Sequence, residues 1–131
     1  MKVSAATTAT LLFAATGLAA SVKVTDLSIR DNAGLQSVSF TVDDGATACS
    51  SSDASTLAGN GANPCGAGDV YSFSVEKSAG SEYQLYLHKN VDGEVRGLNG
   101  GGKAPVYCHA GGNGKNDKIC SQVGDFEVKL E

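Results

Sequence analysis

Apolar and polar residues alternate at period two in stretch after stretch of this 131-residue chain, and no stretch of helical period competes with them. Successive side chains on a strand point to opposite faces, so this alternation marks half-buried strands with one face on a core. Val38, Phe40 and Val42 stand on one face, with Ser39 and Thr41 on the other. Tyr71, Phe73 and Val75 repeat the pattern, then Tyr83, Leu85 and Leu87, and finally Phe126, Val128 and Leu130. Val22 and Val24 open a first strand that Leu27 and Ile29 continue on the opposite parity, the swap that a β-bulge produces. Residues 94–98 and 104–108 are weaker candidates.

Between residues 83–89 and 94–98 stands Asp92-Gly93, a pair that takes the positive φ angles of a tight hairpin turn without strain; the two flanking strands are expected to be antiparallel neighbours. Residues 43–68 and 97–102, rich in small and polar side chains, read as long loops. Short strands with glycine-rich connections predict an all-β fold, a compact antiparallel β-barrel or sandwich. Closure would also hide the sheet edges.

The first twenty residues read differently. Lys2, the apolar run 5–15 and the small residues Gly17-Leu18-Ala19 have the pattern of a secretory signal, too short to span a bilayer, and no later segment reads as a membrane span. The expected organisation is a signal peptide at 1–20 and a single domain at 21–131, about 110 residues around one modest core. Ten basic against fourteen acidic residues give a net charge of −4, which becomes −5 once Lys2 leaves with the signal. That sign argues against nucleic acid and against anionic membranes as partners.

All four cysteines, Cys49, Cys65, Cys108 and Cys120, follow the signal, and an even count in an oxidising compartment implies two disulfides. Three pairings are open; the sequential one would close two local loops, each worth roughly 3 kcal/mol in the chain-entropy model. A metal site is disfavoured, because there is no Cys-x-x-Cys pair and His88 and His109 lack ligand spacing. No cofactor is implied.

Catalytic readings fare no better. Glu76, Glu82, Asp92 and Glu94 include enough carboxylates for glycoside hydrolysis, but nothing in the sequence pairs them, and the chain has no Trp from which to build a sugar platform. His109 adjoins a cysteine expected to be oxidised, and His88 is expected on a solvent face opposite Leu85 and Leu87. Asp43-Asp44-Gly45 lacks the later carboxylates of a calcium loop and reads as a turn. Gly111-Gly112-Asn113-Gly114 lacks the Lys-Ser/Thr of a phosphate-binding loop and reads as a turn needing positive φ. Lys115, Lys118 and Lys103 make its neighbourhood locally basic.

Tyr107-Cys108-x-Ala110-Gly111-Gly112-Asn113-Gly114, then Asp117, Cys120 and the closing 124–130 segment, resembles the C-terminal signature of the Alternaria major allergen family of fungal secreted proteins, which includes elicitors of plant cell death. Val24-Thr25-Asp26-Leu27-Ser28-Ile29-Arg30 and the following 36–40 segment are similar to the elicitor branch. The resemblance covers nearly the whole of 21–131. It implies a compact β-barrel, disulfides pairing Cys49 with Cys65 and Cys108 with Cys120, secretion by a fungus and no enzyme activity. The family's allergen prototype carries a further cysteine that joins two chains; no fifth cysteine exists here, so a monomer is expected.

The function expected is that of a secreted, non-catalytic elicitor or effector in the host apoplast that binds a host plant protein. Its binding surface is expected in the 109–118 loop, through His109, Asn113, Lys115, Asn116, Asp117 and Lys118, joined by the turn at Asp92. The alternative is a carrier of small phenolic or flavonoid ligands.

Overall fold

The computed structural model describes residues 19–58, 61–66, 70–78, 81–93 and 95–131. The expected signal segment therefore lies outside the described residues except for Ala19 and Ala20.

Strand β1 (Ala20–Asn32) organises the molecule. Its inward side chains change parity midway: Val22 and Val24 are buried, then Leu27, Ile29 and Asp31. At the changeover Asp26 has φ 57°, and the pairing with β2 (Leu35–Val42) shifts register between Thr25 and Ser28. This is the bulge read from the alternation. Backbone groups that the bulge withdraws from the ladder are met by Gln122, which accepts from the Leu27 amide at 3.1 Å and donates to the Val24 carbonyl at 3.0 Å.

One side of β1 pairs with β2, which continues to β3 (Thr47–Ser51). The other side is shared. Its first half pairs with β10 (Phe126–Leu130) and its second half with β9 (Asp117–Gln122), which pairs in turn with β8 (Val106–Ala110). A second antiparallel sheet runs in the order β4 (Asn63–Pro64), β5 (Tyr71–Lys77), β6 (Tyr83–Lys89), β7 (Leu98–Lys103). The alternating residues of the two sheets meet in a single core, where Phe40 and Phe73 pack edge to face with ring centroids 5.0 Å apart. The sheets do not close into one continuous barrel, but Asn99 and Glu131 exchange two backbone hydrogen bonds, at 2.9 and 3.1 Å, where β7 meets the end of β10. The fold is thus the all-β, antiparallel, barrel-like sandwich expected.

Polar side chains also join the sheets. Tyr83, from β6, donates to Asp31 Oδ2 at 2.6 Å, where Lys77 Nζ also arrives at 2.7 Å, while Asp31 Oδ1 accepts from the Gly34 amide. Burial alone would push the Asp31 carboxyl up; the bonds from Lys77, Tyr83 and Gly34, with the Lys77 charge, outweigh it and hold the group below its ordinary value. Farther along, Tyr71 donates to Asp43 in the turn after β2 at 3.0 Å. There Asp43, Asp44 and Gly45 all have positive φ, consistent with the turn expected.

The structure corrects five expectations. Residues 43–68 are not a plain loop: they contain β3, a five-residue helix α1 (Ala54–Ala58) and β4. Asp53 caps α1 by accepting from the Ser55 amide at 3.0 Å, and Leu57 is buried. Residues 97–102 are not a loop either, since most of them form β7. The turn at Asp92-Gly93 does not make a two-residue hairpin, because β6 pairs with β7 from Lys89↔Leu98 onward and the connection runs through residues 90–97. The strand candidate at 94–98 is replaced by β7, with Glu94 outside the described residues, and that at 104–108 moves to β8.

Strand β7 carries Gly100-Gly101-Gly102 because three neighbours press on it. A Cβ on Gly100 would stand 1.9 Å from the Lys129 carbonyl oxygen, one on Gly101 would stand 2.5 Å from Tyr86 Cδ1, and one on Gly102 would touch Phe126. Glycine here serves close packing, which a propensity scale counts against a strand.

Candidate functional site

The connection between β8 and β9 is built around a buried carboxylate. Asp117 is 1% exposed, and its Oδ2 accepts from the Asn113 amide at 3.0 Å and forms an ion pair with Arg30 Nη2 at 3.0 Å. Asp117 Oδ1 has no hydrogen-bond partner among the described residues. Gly111 leaves room for this carboxylate: a Cβ there would lie 2.4 Å from Oδ2. The backbone bond from the Gly111 amide to the Asp117 carbonyl, at 2.9 Å, closes the loop neck, and Gly112 and Gly114 take φ of 97° and 103° at its tip. Asn32, at the end of β1, donates to the Asn113 carbonyl.

Cys108 and Cys120 stand directly opposite each other on β8 and β9 and form one disulfide; Cys49 and Cys65 form the other. The pairing implied by the resemblance is the one present, and no cysteine is left free.

On this frame His109, Asn113, Lys115 and Asn116 are exposed, and Lys118 is half-buried. Asp117 is not a surface group as expected but the internal anchor that sets the loop. Asp92 is exposed but stands elsewhere: its connection leads into Leu98 and Asn99 beside Glu131, at the β1 end where Ala20 pairs with Leu130, whereas Asp117 pairs with Asn32 at the other end of β1. The loop and the Asp92 turn do not share one surface.

The other chemistry-bearing residues separate as well. Lys103 is bonded to Glu82 at 3.0 Å, with both side chains exposed, and Glu76 lies exposed opposite Gln84. His109 faces solvent on an edge strand. His88 lies half-buried on the outer face of the second sheet, with Nδ1 2.7 Å from Asn99 Oδ1 and Nε2 3.0 Å from Asn90 Oδ1. Among the described residues no group of three or more His, Cys, Asp or Glu side chains is placed to hold a metal ion, and no helix is long and apolar enough to cross a membrane.

Sequence reasoning missed Arg30 and Asn32, which fix the loop from 80 or more positions away. Their only signal is position: both fall at the end of the first strand, where outward polar residues look like ordinary surface.

The family model of Alternaria alternata allergen 1 matches residues 24–120. Two crystal structures of the Alternaria alternata major allergen Alt a 1 are similar to the chain. One is 25% identical with a TM-score of 0.61, over 85% of this chain and 92% of that one. The other is 26% identical with a TM-score of 0.63, over 85% and 87%. No curated protein matches the chain. The match spans the bulged first strand, both disulfides and the glycine loop, and the chain belongs to the Alternaria alternata allergen 1 family.

Proposed function

We propose that this protein is a secreted, non-catalytic fungal elicitor that acts in the plant apoplast by presenting a rigid surface to a host protein. The observation that carries this reading is the preorganised loop between β8 and β9. Its tip exposes Asn113, Lys115 and Asn116, while a disulfide, the ion pair from the partly exposed Arg30 to the buried Asp117 and backbone bonds to Asp117 hold its neck. A loop fixed before binding has little ordering entropy left to lose, which is the property of an efficient recognition surface. Secretion is supported by the signal-like first twenty residues and by two disulfides in a chain of 131 residues. The dispersed carboxylates and histidines support a binding role over a catalytic one.

The test is infiltration of the folded, oxidised 21–131 protein into leaves at micromolar dose, beside a variant carrying Lys115→Glu and Asn116→Ala. The reading expects defence responses or cell death with the first and a strongly reduced response with the second at unchanged melting temperature. An undiminished response to the variant would remove the loop from the binding surface, and no response to either protein across several hosts would overturn the elicitor reading.

A further inference from the structure

The outer face of the second sheet holds a depression of about 450 Å³, lined on three strands by two cross-strand rows. Ser74, Tyr86 and Gly101 stand directly opposite one another in the first row; Ser72, His88 and Asn99 do so in the second. Adjacent strands are about 4.8 Å apart and rows two residues apart along a strand about 7 Å, so these six residues form one compact patch. Tyr86 is 40% exposed, and one side of its ring rests on Gly101, in the space a Cβ would need. The glycine thereby gives the ring a surface to rest on while its other side faces outward.

The polar groups of the patch are set for a ligand. The His88 imidazole lies between the side chains of Asn99 and Asn90, with Nδ1 2.7 Å from Asn99 and Nε2 3.0 Å from Asn90. The hydroxyls of Ser72, Ser74 and Tyr86 make no hydrogen bond among the described residues. None of the described lining residues is Asp, Glu, Lys or Arg, on a chain that is otherwise charged and acidic. In the neighbouring row Lys103 is already engaged by Glu82.

We propose that this face is a binding site for a neutral pyranose oligosaccharide. A pyranose ring offers an apolar C–H face, whose slightly positive hydrogens suit the negative face of a tyrosine ring, and a rim of hydroxyls that both donate and accept. The Tyr86 ring and the hydroxyls of Ser72, Ser74 and Tyr86 supply the complementary set over an open depression of about 450 Å³. An anionic sugar would find no Lys or Arg among the described lining residues to offset its desolvation. The chemistry is shared by plant-wall glucan and fungal-wall chitin. The site is separate from the β8–β9 loop, and it stands whether or not the elicitor reading does.

The experiment is a titration of the isotope-labelled, disulfide-bonded protein with cellotetraose, chitotetraose and trigalacturonate, followed by amide NMR shifts. Saturable shifts at Ser74, Tyr86, His88, Asn99 and Gly101 are expected with cellotetraose or chitotetraose, at a dissociation constant of about 0.1–1 mM, an ordinary range for a small open site. Trigalacturonate should leave these signals in place. Tyr86→Ala should weaken binding about tenfold or more and Tyr86→Phe much less, as removal of an aromatic anchor does. Ser74→Arg, which fills the depression from an outward position, should abolish binding at unchanged melting temperature and serves if Tyr86→Ala does not fold. A response to cellotetraose alone assigns the site to plant-wall glucan, and one to chitotetraose alone to the fungal wall. Absence of shifts with both neutral sugars at 10-fold excess over about 1 mM, shifts confined to another face, equal binding of trigalacturonate, or binding that survives Ser74→Arg would each overturn the proposal.

Discussion

The Tyr83 hydroxyl and the Asp31 carboxylate meet at 2.6 Å between the two sheets, and both residues are 0% exposed. Asp31 sits on β1 just beyond the last apolar residue of its inward face, and Tyr83 opens β6, so the bond ties the sheets together where apolar contact runs out. Lys77 completes the arrangement from β5. Tyr83→Phe removes one donor from a buried, charged acceptor and is expected to cost about 1–3 kcal/mol. Equilibrium urea unfolding measures it.

The same cluster makes stability sensitive to acid. Because the Asp31 carboxyl is held below its ordinary value of 3.8, its contribution is present above that pH and is lost as pH falls through the folded-state value. Asp31→Asn should lower stability at neutral pH and flatten the decline below about pH 4. Unfolding curves from pH 7 to 2 read both effects.

Alkali acts on the tyrosines with the opposite sign. Burial first, then the bond to Asp43 and its charge, raises Tyr71 from 10.0 to about 12, and Tyr83 is raised for the same kinds of reason beside Asp31. The unfolded chain therefore ionises first, and stability should fall as pH climbs from about 10 toward 12. Tyr71→Phe should make that fall shallower, visible in melting temperatures across the range.

Gly100 and Gly101 should respond differently to the same change. Gly100→Ala drives a Cβ into the Lys129 backbone, which cannot step aside without shifting β10, and is expected to cost about 1–3 kcal/mol or more. At Gly101 the obstacle is the exposed Tyr86 ring, which can swing outward. Gly101→Ala should therefore leave stability within about 1 kcal/mol of the parent. Denaturant midpoints of the two variants make the comparison.

Asp117→Asn tests the anchor of the β8–β9 loop. It weakens the pair with Arg30 and the bond from the Asn113 amide, so hydrogen exchange at residues 111–116 should accelerate while the strands stay protected.

Legibility in the sequence followed the strength of alternation. Strands β2, β5, β6 and β10 place three or more apolar side chains inward and were readable, as was the bulge where Val24 gives way to Leu27. Strand β3 buries Cys49 alone, and α1 buries only Leu57, so neither left a periodic trace. Strand β7 is selected by backbone approach at Gly100, a reason that exists only after β10 has packed. The site divides along the same line. The exposed loop tip could be named from its glycines and asparagines, but the buried role of Asp117 depends on Arg30, 87 positions away. The row of Ser74, Tyr86 and Gly101 is drawn from three strands and has no sequence motif at all.

The proposed elicitor role requires that a folded surface, held by two disulfides, be what a host recognises. Each disulfide closes a loop worth roughly 3 kcal/mol, and a small single domain has about 5–15 kcal/mol in total, so full reduction should unfold much of the protein. Leaf infiltration with the oxidised protein beside its reduced and alkylated form measures the consequence directly. Defence responses or cell death are expected from the oxidised form and none from the reduced one; equal activity of the two forms would overturn the folded-surface reading and point to recognition of a linear peptide.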